Sequence, residues 1–282
     1  MKACLVMLVG LLAVHALGQD APTTHPADPL EIGTRLQALL PAPVLLIGEQ
    51  HDATEHQQLQ AAVVTHLASK ARLHALVLEM ADQGRDTKGL PASASPEAVQ
   101  QRLAWNDAGW PWERYGQVVM AAVKAGVPVY GGNLPRASMR TAMRNEALDL
   151  TIPADRRPEL EALIHSAHCE LLPASQLPGM ARIQIGRDVA MAETVSALIQ
   201  PDKVVVLVTG RQHARKDHGV PWHLGRIDAS LPMSQIKVLD LRTPGAEPLA
   251  SDAVWHTPPA PPQDHCAGLR ERFQQRAPAA SP

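Results

Sequence analysis

Aromatic side chains are scarce in this sequence of 282 residues, which holds one Phe, two Tyr and five Trp. A buried core must therefore be built mainly from Leu, Val, Ala, Ile and Met. The formal net charge is −2 and no basic stripe runs along the chain, which argues against a nucleic-acid partner. The sequence also lacks a Gly-x-Ser-x-Gly elbow, a Walker-type phosphate loop and a dinucleotide-binding fingerprint, so serine hydrolases and nucleotide-binding enzymes are disfavoured.

Residues 1–18 have the pattern of a cleaved signal peptide. Lys2 supplies a positive charge, Leu5–Leu17 is largely apolar, and Gly18 completes a small-x-small cleavage site. The apolar run is shorter than the about 20 residues that span a bilayer. We therefore expect an exported protein with no transmembrane span in its mature form. Cys4 precedes the apolar run, so it is not placed to become a lipid-modified residue after cleavage.

Two cysteines remain once the signal is removed, Cys169 and Cys266. In an oxidising compartment such an even pair predicts a disulfide, with two free buried thiols as the alternative. The bridge would hold the segment 257–282, whose Pro- and Ala-rich composition predicts an extended tail. We expect this tail to follow one α/β domain over residues 19–256.

Five short apolar runs are typical of parallel strands covered on both faces, because each is continuous rather than alternating. These runs are Val44–Ile47, Ala75–Leu78, Val127–Tyr130, Lys203–Val208 and Ile236–Leu241. Their alternation with helical patterns predicts the α/β class, with a mainly parallel sheet flanked by helices.

The helical patterns lie between these strands, and the first of them begins with a possible Thr54–Gln57 capping box. Between the third and fourth strands two further helices are separated by Pro173, which predicts a helical insertion before the fourth strand. The predicted helices are Thr54–Lys70, Trp112–Lys124, Ser138–Leu150, Arg157–Leu172 and Gln176–Ile199.

Polar side chains follow four of the predicted strands. A Gly-x-x-His motif occurs twice directly after a strand, and places Glu49 and His51 after the first strand and His213 after the fourth. Glu79 ends the second strand, while Asn133 and Arg136 follow the third. The carboxyl ends of strands in open α/β sheets are where ligands bind, so we expect a shared site. Taken alone, each of these residues would more often cap a helix or lie exposed to solvent in its first turn.

Two kinds of ligand suit such a site. Imidazoles and carboxylates are ligands for a divalent transition metal, with His51, Glu79 and His213 as candidates. Alternatively, His51 and Arg136 face an anionic ligand near the helix that starts at Thr54. Arg187 lies on an apolar stripe of a predicted helix and needs a partner, either Glu79 or an incoming carboxylate; a solvated pair with the adjacent Asp188 is the alternative.

Taken in order, six segments of this chain resemble the ChaN family, within the wider haem-binding uptake and Tiki group. The segments are Leu46–Asp52, Val77–Met80, Gly131–Arg136, Arg187–Ala192, Thr209–His213 and His218–Leu224. The resemblance implies an α/β domain at the bacterial cell envelope that takes part in haem or iron uptake. Many relatives resemble lipoproteins, whereas this chain has no cysteine at the end of its signal, so a periplasmic location is expected.

The resemblance implies haem as the cofactor and an outer-membrane haem receptor system as a partner; a homodimer stays open. A porphyrin needs an apolar wall, an axial ligand and cations for its propionates. Arg136 and Arg187 could meet the propionates. The axial ligand stays open among Tyr115, Tyr130 and the twelve histidines other than His15. Candidates for the wall are Met80, Trp105, Trp110, Trp112, Tyr115 and Met191.

The wider group also resembles Tiki proteases and erythromycin esterases, which implies a second hypothesis, a metal-dependent hydrolase. In that hypothesis Glu49 or His51 would be the general base toward a bound water, with Glu79 and His213 as metal ligands or orienting groups. A structural envelope protein with a decayed site is the third alternative.

Overall fold

A computed structural model describes residues 29–276 of the chain. The predicted signal peptide and Cys4 lie outside the described residues. No helix among those described is long and apolar enough to cross a membrane.

The core of the fold is a six-stranded sheet in which all strands run parallel, in the order β3-β2-β4-β1-β5-β6. The predicted α/β class is therefore confirmed, and each of the five predicted runs is a strand. The strands are β1 (Val44–Glu49), β2 (Leu73–Asp82), β3 (Val129–Asn133), β4 (Val204–Gly210), β5 (Ile236–Arg242) and β6 (Ala253–His256).

Helices cover both faces of the sheet, as the continuous apolar runs required. They are α1 (Pro29–Leu36), α2 (Thr54–Ser69), α3 (Pro96–Leu103), α4 (Trp112–Lys124), α5 (Met139–Arg144), α6 (Arg157–Ala167), α7 (Leu177–Ser196), α8 (Val220–Ile227) and α9 (His265–Arg276). Successive residues of β1 enter different clusters: Leu45 and Ile47 pack with α1, α2 and α4, whereas Leu46 packs with α7 and α8.

Three local predictions were wrong. The helix α2 begins after Ala53 without a side-chain cap, because the Gln57 amide reaches Glu49 instead. The helix predicted over Ser138–Leu150 breaks at Asn145, whose backbone is extended and whose side chain accepts a hydrogen bond from Ala147 N. β6 was missed, since its four residues at the sheet edge are mostly half-buried and give no continuous apolar run.

The predicted helical insertion lies between β3 and β4 and contains α5, α6 and α7. It has a hydrophobic cluster of its own, which includes Leu160, Ile164 and Ile185. α7 packs against α5, α6 and α8 and also against β2 and β3. This contact brings one face of α7 over the carboxyl ends of the strands.

The predicted disulfide between Cys169 and Cys266 is present, with the two Cα atoms 5.8 Å apart. The tail that was predicted to be extended is irregular only as far as Asp264, after which α9 begins. Phe273 of this helix packs against the cluster of the insertion. The disulfide and Phe273 together hold the end of the described chain against α6 and α7.

The strand order places the carboxyl ends of β2, β4 and β1 side by side. From β1 the chain passes to β2 and β3 on one side, returns to insert β4 between β2 and β1, and continues to β5 on the other side. Such a reversal of strand order is where open α/β sheets form ligand crevices. In the β1–β4 pair Glu49 lies opposite Gly210.

Candidate functional site

A cleft of about 600 Å³ lies at these strand ends; we call it the strand-end cleft. Strand residues and the turns after them supply Glu49, His51, Glu79 and His213. Its complete lining is Glu49, Gln50, His51, Asp52, Glu79, Arg114, Gln184, Arg187, Gly210, Arg211, Gln212, His213, Gln263 and His265.

Glu49 is buried at the end of β1 and is surrounded by hydrogen-bond donors. Its Oε1 accepts from Tyr115 Oη and from His51 Nδ1, each at 2.8 Å. Its Oε2 accepts from Gln57 Nε2 at 2.6 Å and from Gln60 Nε2 at 2.7 Å. Glu49 therefore has four side-chain donors, and burial together with the charge of Glu49 raises the pKa of Tyr115, which keeps the phenol protonated.

His51 is held in one orientation by this carboxylate. Because Nδ1–H donates to Glu49, Nε2 is left facing the cleft, 3.9 Å from Glu79 Oε1. The imidazole side chain is 40% exposed, so a ligand can reach it, and its ring lies edge-on to Trp110 at 4.9 Å between centroids. Burial lowers the pKa of His51, but the hydrogen bond to Glu49 and the charge of Glu79 outweigh that effect and raise it.

Glu79 lies at the centre of the site and is almost completely buried. Arg187 Nη2 donates to Oε1 at 2.5 Å, while Thr209 Oγ1 at 2.8 Å and Gly210 N at 2.7 Å donate to Oε2. Burial alone would raise the pKa of Glu79, but the charges of His213 and Arg187 lower it well below its ordinary range. Glu79 is therefore a carboxylate whose oxygens already have partners.

His213 forms a second carboxylate–imidazole pair. Its Nδ1 donates to Asp188 Oδ1 at 2.5 Å, and its Nε2 lies 3.5 Å from Glu79 Oε1. Burial lowers the pKa of His213, but the charges of Glu79 and Asp188 outweigh burial and raise the pKa to about 9. The buried His213 is therefore an imidazolium near neutral pH.

Steric contacts explain why the second Gly-x-x-His motif has a glycine at position 210. A Cβ at Gly210 would lie 2.9 Å from His51 Nε2 and 3.5 Å from Glu79 Oε2. The absence of a side chain therefore allows the imidazole of the first motif to lie against the strand of the second.

The structure brings together most of the residues that the sequence indicated. Glu49, His51, Glu79, Arg187 and His213 line the cleft, and the ion pair expected between Arg187 and Glu79 is present.

Two residues after β3 lie elsewhere. Asn133 lies behind the lining, where its Oδ1 accepts from Arg187 Nε at 2.9 Å. Arg136 is exposed at the start of a 3-10 turn and does not line the cleft, because the chain turns away after Pro135.

Sequence reasoning missed several residues of the site. Asp188 was considered as a partner of Arg187, whereas its side chain bonds His213. Gln184, whose Nε2 lies 3.1 Å from His213 Nε2, was not among the predicted site residues. The i, i+3, i+4 spacing of Gln184, Arg187 and Asp188 on one helix face was the signal that could have identified them together. Arg114 gave no such signal.

The residues expected to form a haem wall are mostly unsuited to it. Met80, Tyr115 and Met191 are buried in the two main hydrophobic clusters. Trp105, Trp110 and Trp112 are half-buried and pack against one of these clusters. Trp110 is the one that contacts a residue of the cleft lining through its ring.

The three candidate metal ligands, His51, Glu79 and His213, do meet, but they are not arranged to hold an ion. Among residues 29–276 no group of three or more His, Cys, Asp or Glu side chains has that arrangement. Arg187 donates to Glu79 and Asp188 accepts from His213, so two of the three side chains already have protein partners.

Residues 257–266, which we call the C-terminal strap, contribute two residues to the wall of the cleft. At one end Thr257 Oγ1 lies 2.9 Å from His56 Nε2, and at the other end Cys266 is bound to Cys169. Between them Gln263 and His265 line the cleft, and His265 Nε2 lies 3.1 Å from Asp52 Oδ2. The disulfide therefore fixes part of the cleft wall.

Comparison with known proteins gives one family match. A family model described as haem-binding uptake, Tiki superfamily, ChaN matches residues 35–224, a range that includes both Gly-x-x-His motifs, Glu79 and Arg187. No curated protein matches this chain.

Among solved structures, ChaN of Campylobacter jejuni with cofacially bound haem is similar in fold. It is 24% identical with a TM-score of 0.65, over 79% of this chain and 90% of that one. The erythromycin esterase EreC in its open conformation is 12% identical with a TM-score of 0.44, over 77% and 74% of the two chains. A Bacillus cereus protein has the same identity and TM-score, over 77% and 70%.

Replacing His213 with Gln is expected to remove an alkaline loss of stability. Because its pKa is raised in the fold, the imidazolium stabilises the protein fully below pH 6.5, and this contribution is lost as the pH rises through about 9. A rise from 6.5 to about 9 corresponds to about 3 kcal/mol of unfolding free energy. Urea unfolding of both proteins at about pH 6 and about pH 10 measures the difference.

The acid side of the same titration provides an internal control. Burial lowers the pKa of His56 to about 4, so its contribution is lost as the pH falls from 6.5 toward 4, and the His213→Gln protein should keep that loss. An alkaline dependence that is equal in both proteins would contradict the assignment.

Replacing both Cys169 and Cys266 with Ser is expected to release the C-terminal strap and expose His51. The bridge closes 97 residues of sequence, so the unfolding free energy should fall by about 2–4 kcal/mol. Under native conditions the rate at which diethyl pyrocarbonate modifies His51, followed by peptide mass spectrometry, should rise. Modification of His256, which lies outside the strap and the cleft lining, serves as the reference; an unchanged His51 rate would show that the strap does not limit access.

Proposed function

This chain belongs to the ChaN family of haem-binding uptake proteins in the Tiki superfamily, and on that basis we propose that it binds haem at the strand-end cleft. We further propose that residues 1–18 direct its export to the periplasm, where residues 19–256 form the binding domain and serve haem or iron uptake. An outer-membrane haem receptor system is the partner that this role requires. The disulfide supports the proposal of export, because such bridges persist in oxidising compartments.

The observation that carries the assignment to this cleft is the orientation of His51. Its Nδ1 is bonded to a buried carboxylate while Nε2 is accessible. A carboxylate that accepts a hydrogen bond from one ring nitrogen of a metal-binding imidazole orients the ring and raises the basicity of the other nitrogen. Tyr115 is buried and donates to Glu49, and His213 is buried against Asp188. His51 is therefore the favoured axial ligand among the residues that the sequence left open.

Other parts of the site fit haem to different degrees. Arg114 in the lining supplies a cation for a propionate, and Trp110 supplies an aromatic edge beside His51. The remaining lining is polar, whereas haem pockets are largely apolar. Bound haem would supply an iron centre; the chain would supply His51 as its ligand, held by Glu49, and Arg114 as a hydrogen-bond donor to a propionate carboxylate.

Haemin titration of the mature protein, followed by absorbance, tests this proposal. We expect a saturable Soret shift in the wild type. His51→Ala should give a changed spectrum and weaker binding. Glu49→Gln should bind haemin about 10- to 100-fold more weakly, because the carboxylate no longer orients the imidazole. Arg136→Gln changes a charge outside the cleft and is the matched control. No saturable shift in the wild type would contradict haem binding, and a His51→Ala spectrum equal to that of the wild type would move the axial ligand to another residue, first His265 of the lining.

Acid–base hydrolysis is a second candidate function, favoured by the two imidazoles whose Nε2 atoms approach Glu79 from different elements. His51 Nε2 can accept a proton from a water whose oxygen attacks an ester or amide carbonyl. The protonated His213, on the other side of Glu79, can return a proton to the leaving group. The chain itself supplies both groups, so no metal enters this scheme.

A test of hydrolysis uses p-nitrophenyl acetate as the probe, with metal analysis of the same sample. If the site is hydrolytic, the rate should rise with pH as His51 deprotonates and fall near pH 9 as His213 loses its proton. Glu49→Gln and His51→Ala should each lower kcat by about 100-fold or more, and Arg136→Gln should not. If the wild type and His51→Ala hydrolyse p-nitrophenyl acetate at the same rate, the site does not hydrolyse this probe.

A further inference from the structure

The cations of the strand-end cleft differ in whether the protein neutralises them. Arg187 donates to Glu79 and to Asn133. Arg211 makes a two-pronged contact with the buried Asp240, at 2.6 and 3.1 Å, and donates to Glu247 O. Both guanidinium groups therefore serve the protein itself and are not available to a ligand without breaking buried ion pairs.

Arg114 is different. It is the third residue of α4 and lines the cleft beside His51, where its Nη1 donates to the His51 carbonyl oxygen at 3.2 Å. Within the part of the chain that the structure describes, no carboxylate forms an ion pair with its guanidinium. The single bond to a carbonyl oxygen places the group in the cleft without neutralising its charge.

The carboxylates of the lining cannot supply the missing partner. Glu49 already accepts from four donors, and Glu79 is bonded to Arg187, Thr209 and Gly210. Asp52 lies 3.1 Å from His265 of the strap. An anion that meets Arg114 must therefore come with the ligand.

We propose that Arg114 is a specificity residue that binds a carboxylate group of the cleft's ligand. The planar guanidinium suits a carboxylate because it offers two parallel N–H donors. The inference rests on the proposed function, in which that carboxylate is a haem propionate. It replaces Arg136 and Arg187 in this role, since Arg136 lies outside the cleft and Arg187 is held by Glu79.

The first experiment compares haemin with its dimethyl ester, in which both carboxylates are blocked. Wild type should bind haemin about tenfold or more tightly than the ester, because a charge-assisted hydrogen bond is lost. Arg114→Gln should bind haemin weaker by a similar factor and bind the two compounds about equally. Arg114→Lys keeps the positive charge but not the two parallel N–H donors, so it should show part of the preference for haemin over the ester. Arg136→Gln should show all of that preference.

A second measurement separates failure of this inference from failure of haem binding. Phenylglyoxal labelling of arginines, mapped by peptide mass spectrometry, should modify Arg114 readily, and benzoate should protect Arg114 while benzyl alcohol should not. Arg136 provides the unprotected reference. If the wild type binds haemin and its dimethyl ester equally, and Arg114→Gln binds haemin as the wild type does, the inference about Arg114 is overturned. Haem binding itself would still stand. If haemin does not bind, protection of Arg114 by benzoate would still support carboxylate recognition. If benzoate does not protect Arg114, carboxylate recognition is overturned.

Discussion

The buried carboxylate of Glu79 is the constraint on which the rest of the site depends. A charge with 1% of its residue surface exposed would strongly destabilise the fold if it had no partner. Two partners, Thr209 and Gly210, come from β4, and the third, Arg187, comes from α7. Arg187 of α7, and Asp188 of α7 through His213, therefore help to stabilise the ionised Glu79 while α7 lies over the strand ends. The helical insertion is thus tied to the sheet by an electrostatic requirement as well as by apolar packing.

Two carboxylate–imidazole pairs approach this centre from different elements. The pair of Glu49 and His51 follows β1, and the pair of Asp188 and His213 joins α7 to the turn after β4. In both pairs Nδ1 bonds the carboxylate and Nε2 faces Glu79. The two imidazoles differ in exposure, 40% for the His51 side chain against 5% for that of His213. The first is therefore the more accessible to a ligand, while the second lines the cleft with little of its surface exposed.

The sequence predicted the edge of the sheet where the site lies, because continuous apolar runs that end in Gly-x-x-His mark both the strands and their carboxyl ends. It also indicated that Arg187 on an apolar stripe needs an anion, and of the partners left open the structure shows Glu79. Residue-to-residue pairing across the fold was harder to predict. Asp188 precedes His213 by 25 residues, and nothing in local spacing selects one histidine among thirteen. Arg136 was misplaced because a strand end fixes where the chain leaves the sheet but not the direction of the turn that follows.

The orientation of His51 explains why one cleft supports two candidate functions. An imidazole with Nδ1 bonded to a carboxylate presents a basic Nε2, and such a lone pair can bind iron or accept a proton from water. What separates the functions is the rest of the lining. The residues that line the cleft are of polar types apart from Gly210, and Trp110 is an aromatic neighbour of one of them. Haem bound there would be held by an axial bond, a carboxylate contact through Arg114 and one ring edge. Because no aliphatic side chain and no Phe, Tyr or Trp among the described residues lines the cleft, we expect haem to be bound there less tightly than in an apolar pocket.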